Sequence, residues 1–180
     1  MRLRSTIPML CLALAACGGA DDGEADDETA SESDALTATW ITPPMRHDLQ
    51  VVNAYRAKHG RAPLVLARRL STFAHAGSVE LRSNHVPHAH FLAAAKNGSI
   101  WNDGFRHLAG ENQGDPNGWP AEDQTKQIDE ILAEMYAEGP GKGEAHAHYE
   151  NIENPKFTRL GVGFAKDASG KLYFTNDFSD

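Results

Sequence analysis

The stretch HYENIENPKFTRLGVGF, at residues 148–164, joins a short helical pattern to a β-prone run. Asn154 and Pro155 end the helical pattern, because the residue before a proline disfavours helical backbone. Further along, RLGVGFA and LYFTNDF are two β-prone runs, and the residues from Asp167 to Gly170 between them are typical of a hairpin turn. The end of the chain is therefore predicted to form two antiparallel strands.

Helical patterns precede this hairpin. One begins near Pro44, a second ends near Asn84, and a third covers residues 125–138 with a single apolar stripe. Residues 97–120 are rich in Gly, Asn, Asp and Pro, so they are predicted to be loop, interrupted by a short strand at HLAGENQ, residues 107–113. Helices first and antiparallel strands last indicate an α+β domain.

The N-terminus has the layout of a leader for export. Arg2 and Arg4 precede an apolar run that ends in small residues and is too short to span a bilayer. The sequence LAACG, at residues 14–18, resembles the bacterial lipobox, which implies lipidation of Cys17. We therefore predict a lipoprotein signal peptide at residues 1–16 and a lipid anchor at Cys17 that holds the mature protein at the membrane of the bacterial cell envelope, outside the cytoplasm.

Charge and cysteine content limit what the rest of the chain does. Residues 18–39 contain eight acidic residues and no basic one, so residues 17–43 are predicted to be the anchor and a disordered tether, followed by one domain at 44–180. From residue 40 onward, 15 Lys and Arg stand against 17 Asp and Glu, which excludes a basic surface for nucleic acid. Both cysteines, Cys11 and Cys17, lie in the leader, so the domain has no disulfide and no cysteine metal ligand.

Three motifs of the domain resemble one family. VNAYRAKHGRAPL, at residues 52–64, has an Asn, an Arg three residues later and His-Gly before Pro-Leu; AGEN, at 109–112, has Gly-Glu-Asn; and the stretch at 148–164 has a histidine motif followed by a strand. Together they resemble the CAP superfamily, which comprises cysteine-rich secretory proteins, antigen 5 and pathogenesis-related 1, over residues 45–178. The resemblance implies an α-β-α sandwich with a three-stranded antiparallel sheet between helices.

The resemblance also implies a cleft in which two histidines and two glutamates hold Zn²⁺ or another divalent metal, a ligand set that suits such ions. Two assignments stay open, because His90 competes with His88 and Glu138 lies nearer the apolar stripe than Glu134. Paired histidines in extended chain could instead chelate an ion through His90 and His146 as well. The motif matches give these metal ligands: His88, Glu111, Glu134 and His148.

No H-E-x-x-H and no G-x-S-x-G pattern is present, so the sequence favours a protein without catalytic activity but leaves the question open. The resemblance implies a metal-capable binding or interaction module for lipid or protein ligands. A lipid ligand would need an apolar cavity. Its predicted lining is Phe91, Ile100, Trp101, Phe105 and Trp119. The alternative is a metal-dependent hydrolase acting on peptide or cell-wall substrates, with Glu111 near a metal-bound water.

Overall fold

A computed structural model of the chain describes residues 40–180. The helices are α1 Pro43–Lys58, α2 Arg68–Asn84, α3 Ala89–Asn97, α4 Gln124–Tyr136 and α5 Ala147–Glu153. The strands are β1 Val65–Leu66, β2 Ala109–Gln113, β3 Arg159–Lys166 and β4 Leu172–Ser179. Short 3₁₀ turns at Ser99–Asn102 and Glu144–His146 precede β2 and α5.

The predicted signal peptide, Cys17 and the acidic run lie outside the described residues. Between residues 40 and 180, no helix combines the length and the apolar character needed to cross a membrane.

The four strands form one sheet in the order β1-β3-β4-β2. Strand β4 pairs antiparallel with β3 on one side and with β2 on the other. The hairpin and the strand at the Gly-Glu-Asn motif are therefore confirmed. The expected number of strands, three, is too low, because β1 adds two residues that pair in parallel with β3. A two-residue strand is too short to show the alternation by which strands are recognised in a sequence.

Helices cover both faces of the sheet, which gives the α-β-α sandwich. Helix α2 lies directly on β3, because Gly161 and Gly163 present no side chain to it; a Cβ on Gly163 would lie 2.1 Å from the backbone carbonyl carbon of Ala74. Helices α1, α4 and α5 cover the other face around a larger core. Members of that core include Leu49, Val52, Ile128, Leu132, Ile152, Leu160 and Phe174.

The first family motif works by closing the end of α1 against the rest of the fold. Asn53 exchanges two hydrogen bonds with the backbone of Leu64, donating to its carbonyl oxygen at 3.0 Å and accepting from its N–H at 2.8 Å. Arg56 is fully buried and donates to backbone carbonyl oxygens. Those acceptors belong to Ala62, Ile152, Asn154 and Phe157. The arginine therefore ties α1 to the segment between α5 and β3.

Helix α3 was not predicted from the sequence. It begins after His88, whose backbone is left-handed with φ 59°, and ends at Gly98, which is also left-handed with φ 79°. The cause of the miss is its length of nine residues and its position between Pro87 and a glycine-rich region, where turn signals dominate. Its apolar residue Phe91 packs into a second core against α2.

Candidate functional site

Strand β2 presents polar residues to both faces of the sheet. Glu111 and Gln113 face α2, where Oε2 of Glu111 lies 3.5 Å from the position that a Cβ on Gly77 would take. Asn112 lies between them and faces α5, where its Oδ1 accepts a hydrogen bond from Asn151 at 2.8 Å. This alternation follows from strand geometry and divides the polar residues of the motif into two groups.

His88 and Glu111 form a buried pair on the α2 side. Nδ1 of His88 lies 2.8 Å from Oε1 of Glu111. The backbone N–H of His88 donates to Oε1 of Gln113 at 2.6 Å. A left-handed backbone costs a residue other than glycine on the order of 1 kcal/mol, so the bonds to Glu111 and Gln113 offset this strain and fix the imidazole.

A second buried acid, Asp177, lies opposite Glu111 in the pairing of β2 with β4. Burial raises the pKa of Asp177 well above its ordinary value, and the negative charge of Glu111 raises it further. Burial also raises the pKa of Glu111, against the lowering effect of the hydrogen bond from His88. Within the described part of the chain, Oε2 of Glu111 and both carboxylate oxygens of Asp177 have no hydrogen-bond partner. The two acids therefore disfavour a state in which both are charged.

His148 and Glu138 form a second pair on the α5 side. Nδ1 of His148 lies 2.6 Å from Oε1 of Glu138. The other carboxylate oxygen accepts the backbone N–H groups of His148 at 3.0 Å and Tyr149 at 3.4 Å. Asn112 donates to the carbonyl oxygen of His148 at 3.1 Å, which connects the start of α5 to β2.

The structure therefore brings the sequence-predicted ligands together as pairs. His88 contacts Glu111, but His148 contacts Glu138 and not Glu134. Glu134 is exposed on α4 one turn before Glu138, so the geometry favours the alternative, Glu138, as the partner of His148, and the role of either glutamate as a ligand stays a prediction. The physical reason is that α4 ends at Tyr136, and the turn that follows directs Glu138 towards the first turn of α5.

The remaining histidines of the two motifs have other contacts. Nδ1 of His90 lies 3.2 Å from Oε2 of Glu80 on α2. Nδ1 of His146 lies 2.9 Å from the backbone carbonyl oxygen of Glu138. Both motifs enter helices instead of running extended, so the arrangement in which neighbouring histidines chelate one ion does not form.

The donor chemistry of these residues suits Zn²⁺, but their arrangement does not gather one ligand set. Zn²⁺ takes four ligands, or three and a water, around one point. Each pair offers two side chains, and Glu111 faces α2 whereas His148 belongs to α5, which lies on the other face of the sheet. Among residues 40–180, no group of three or more His, Cys, Asp or Glu side chains could hold an ion. In this arrangement the four residues do not form a single shared metal site, and metal binding by either pair stays a prediction.

Three neighbours of the buried pair were not predicted from the sequence: Thr175, Asp177 and Gln113. The alternation in LYFTNDF places Thr175 and Asp177 on one face of a strand, which is a readable signal. That this face meets Glu111 depends on the register of β2 against β4, which no local pattern reports. Gln113 was missed for the same reason.

An open cavity of about 500 Å³ lies on the outer side of the second core, between α2 and α3. One wall is the α2 stripe of Arg69, Thr72, Phe73 and Ala76. The facing wall is the α3 stripe of His90, Ala93, Ala94 and Asn97. Both stripes have the spacing of one helix face, and their three alanines are too small to fill the space between the helices.

The lining of this cavity differs from the prediction. Phe91, Ile100 and Phe105 are buried in the core beneath it. Trp119 forms a bridge with Leu172 of β4 and packs against the core on the other face of the sheet. Phe91, Ile100 and Phe105 therefore support the cavity from beneath and do not line it.

The fold and the positions of these residues can be compared with those of known proteins. A family model described as the cysteine-rich secretory protein family, CAP, matches residues 49–178. No curated protein sequence matches the chain.

Among solved structures, an outer surface protein from Borrelia burgdorferi has a TM-score of 0.57 at 16% identity, over 75% of this chain and 90% of that one. Venom allergen-like protein 4 of Schistosoma mansoni has a TM-score of 0.51 at 12% identity, over 77% and 89%. A cysteine-rich secretory protein from Staphylococcus aureus has a TM-score of 0.50 at 17% identity, over 78% of this chain and only 40% of its own length. The fold and the family match agree, and the chain belongs to the CAP, or cysteine-rich secretory protein, family.

Proposed function

We propose that this protein is a non-catalytic binding domain displayed outside the cytoplasm, at the bacterial cell envelope, and that the cavity between α2 and α3 receives its ligand. The observation that carries the proposal is the cavity itself. Its volume of about 500 Å³ lies within the range of small-molecule sites, and Phe73, Ala76 and Ala93 give it apolar walls. A lipid or another amphiphile is the ligand class that such a space suits.

The histidine pairs support binding over catalysis. Each imidazole contacts a carboxylate. Glu138 also accepts a hydrogen bond from a backbone N–H group, and Glu111 is buried. A hydrolase needs a nucleophile or a metal-bound water beside a general base. The direct pairing of His88 with Glu111 gives these residues a role in holding the start of α3 against β2, and the pairing of His148 with Glu138 holds the start of α5 against the segment after α4.

The location in the proposal is supported by the leader and the lipobox-like sequence at Cys17. It is also supported by the Borrelia burgdorferi relative, which is an outer surface protein. Replacement of Cys17 by Ser should move the protein from the membrane fraction to the soluble extracytoplasmic fraction, because the anchor would be lost. An unchanged membrane fraction for Cys17→Ser would contradict the anchor.

The ligand is tested by lipid extraction and mass spectrometry of protein purified from its native envelope. We expect an amphiphile to copurify with the wild type and to be lost from Ala93→Trp, whose side chain fills the cavity. Lys96→Gln, on α3 but outside the lining, is the matched control and should keep the ligand. Equal ligand content in Ala93→Trp and the wild type would contradict the cavity as the binding site.

Binding of Zn²⁺ or another divalent ion, and the hydrolase alternative that depends on it, need a separate test. An ion would have to replace the hydrogen bond between His88 and Glu111 or the one between His148 and Glu138. Calorimetric titration of Zn²⁺ into the wild type, Glu111→Gln and His148→Ala compares the two pairs. Saturable binding that one substitution removes would favour metal binding, whereas identical titrations of all three proteins would count against it.

A further inference from the structure

We infer that the cavity between α2 and α3 selects a single-chain amphiphile whose head group is zwitterionic, with an anionic group and an ammonium group close together. The inference names the ligand class of the proposed binding function and rests on that function. It follows from the different chemistry of the two ends of the cavity.

The two ends of the cavity are defined by the antiparallel course of its helices. His90, near the start of α3, packs against Phe73 with the two rings tilted by 50° at a centroid distance of 4.4 Å, and it contacts Glu80 on α2. The start of α3 therefore lies beside the later turns of α2. Asn97, at the end of α3, and the 3₁₀ turn that follows it lie towards Arg69, in the first turn of α2.

The apolar part of the cavity is formed by Phe73, Ala76 and the two alanines of α3. Phe73 and Ala94 are almost fully buried and form its floor. No charged side chain stands between the alanines and Phe73 along the two helix stripes. This part can cover a hydrocarbon chain but offers nothing to a polar head group.

The polar end carries one charge of each sign. Arg69 and Asp103 both line the cavity. They lie close together, because Gly104, next to Asp103, packs against Arg69 so tightly that a Cβ on it would lie 2.8 Å from the Cβ of Arg69. Within residues 40–180, neither side chain forms an ion pair, either with the other or with a third residue.

This pattern of charge distinguishes between head groups. A fatty acid would satisfy Arg69 but bring its carboxylate near Asp103, and an alkylamine would satisfy Asp103 but approach Arg69. A head group with both charges satisfies both side chains, and Asn97 and Asn102 at the same end add neutral donors and acceptors. Charge complementarity of this kind sets specificity more than affinity.

The test uses three soluble probes with closely similar alkyl chains, 2-aminooctanoate, octanoate and octylamine, titrated into the wild-type protein at pH 7 and followed by NMR. Since a charge-assisted hydrogen bond changes an affinity by about tenfold or more, we expect 2-aminooctanoate to bind about tenfold more tightly than either control. A fourth probe, octanoyl lysophosphatidylethanolamine, carries the same head-group charges on a lipid with a single acyl chain. Tighter binding of this probe than of 2-aminooctanoate assigns the site to a lipid head group, and weaker binding assigns it to a free zwitterion.

Two variants separate the two charges. In Asp103→Asn, octanoate should bind as tightly as 2-aminooctanoate. The variant has lost the carboxylate that repels the carboxylate of octanoate and attracts the ammonium group of 2-aminooctanoate. In Arg69→Gln, octylamine should equal 2-aminooctanoate for the corresponding reason. Arg68→Gln and Glu144→Gln are exposed control substitutions outside the lining and should leave all affinities unchanged.

Equal affinity of the wild type for all three octyl probes, or tightest binding of octanoate, would overturn the zwitterion inference while leaving a cavity that binds apolar chains. Saturable binding of none of the four probes would overturn the inference; if the copurified ligand is also unaffected by Ala93→Trp, the proposed function falls with it. The variants' free energies of unfolding, measured in urea, verify that each protein is folded.

Discussion

Asp48 is an acid that lies wholly inside the core, on the inner face of α1. Its two carboxylate oxygens accept hydrogen bonds from Asn176 on β4 at 3.2 and 3.3 Å. Burial raises the pKa of Asp48 to about 8, and the bonds from Asn176 oppose that rise without cancelling it. The folded protein therefore keeps a proton on Asp48 at pH values where the unfolded chain has released it.

This difference makes stability depend on pH. Between the unfolded pKa of 3.8 and the folded pKa of about 8, folding takes up a proton, so the free energy of unfolding falls as the pH rises, by up to about 1.4 kcal/mol per pH unit. Asp48→Asn removes the titration. We expect urea denaturation at pH 5, 6, 7 and 8 to show that the free energy of unfolding of the variant rises, relative to that of the wild type, at each step. A difference that stays constant over this range would contradict the raised pKa.

Arg56 is a second single residue on which the free energy of unfolding should depend. Its guanidinium serves four backbone carbonyl oxygens, and the single ammonium group of a lysine cannot reach all of them. Arg56→Lys should lower the free energy of unfolding by about 3 kcal/mol or more, because buried carbonyl groups lose their donors. Arg68→Lys, at an exposed position, is the control and should change it by less than about 0.5 kcal/mol. Similar stabilities of the two variants would mean that the buried bonds contribute little.

Among the elements, α2 and β3 have the closest contact, and its cause is the pair of glycines on the strand. A methyl group at Gly161 or Gly163 would meet backbone atoms of α2, which cannot rotate away as a side chain can. The helix in turn carries Gly77 and Ser78 against the polar residues of β2 and β4, including Glu111 and Thr175. The position of α2 therefore also sets one wall of the cavity and one side of the buried acid pair.

Gly163→Ala tests this contact. The added Cβ would lie 2.1 Å from the backbone of Ala74, so α2 has to move, and the free energy of unfolding should fall by about 3 kcal/mol. Gly114→Ala is the matched control, since its Cβ would be 3.4 Å from the Cβ of Phe174, and it should cost less than about 1 kcal/mol. Urea denaturation of both variants measures the difference, and equal losses would contradict a backbone clash.

In the whole molecule, β4 is an inner strand on which the rest of the sheet depends. Strand β4 lies between β3 and β2, and β2 has no other partner in the sheet. The acid pair, the attachment of α5 to β2 and the sandwich of helices thus all depend on β4. Asp180 also holds the segment before β2, because Oδ1 accepts the backbone N–H groups of His107 and Leu108.

Removal of residues 172–180 should therefore abolish cooperative unfolding. Both neighbouring strands would lose their pairing, and the faces of the two helix layers would lose the apolar residues of β4. Urea titration followed by circular dichroism measures the transition. A chain that begins at residue 40 keeps all four strands and is the control, which should unfold cooperatively. A sharp transition in the shortened protein would show that β4 is dispensable.

Much of this fold could be predicted from the sequence, because its signals are local. The apolar stripe of residues 125–138 and the turn from Asp167 to Gly170 each describe one element or one connection, and the structure has both. The motif with Asn53 and Arg56 pointed to the family, and the structure gives it a physical cause in bonds that close the end of α1. A short strand such as β1 and a short helix such as α3 contain too few residues for a periodic apolar pattern to reveal them.

The candidate site was predicted less completely, because it depends on contacts between distant parts of the chain. The sequence by itself determined the residue types, the two histidine motifs, Glu111 on a strand and the family to which they belong. Only the tertiary structure decided that His148 meets Glu138 and not Glu134, that Asp177 faces Glu111, and that α2 and α3 leave a cavity between them. The physical reason is that a periodic pattern sets which face of an element is buried, whereas strand register and helix packing set which residue it meets there.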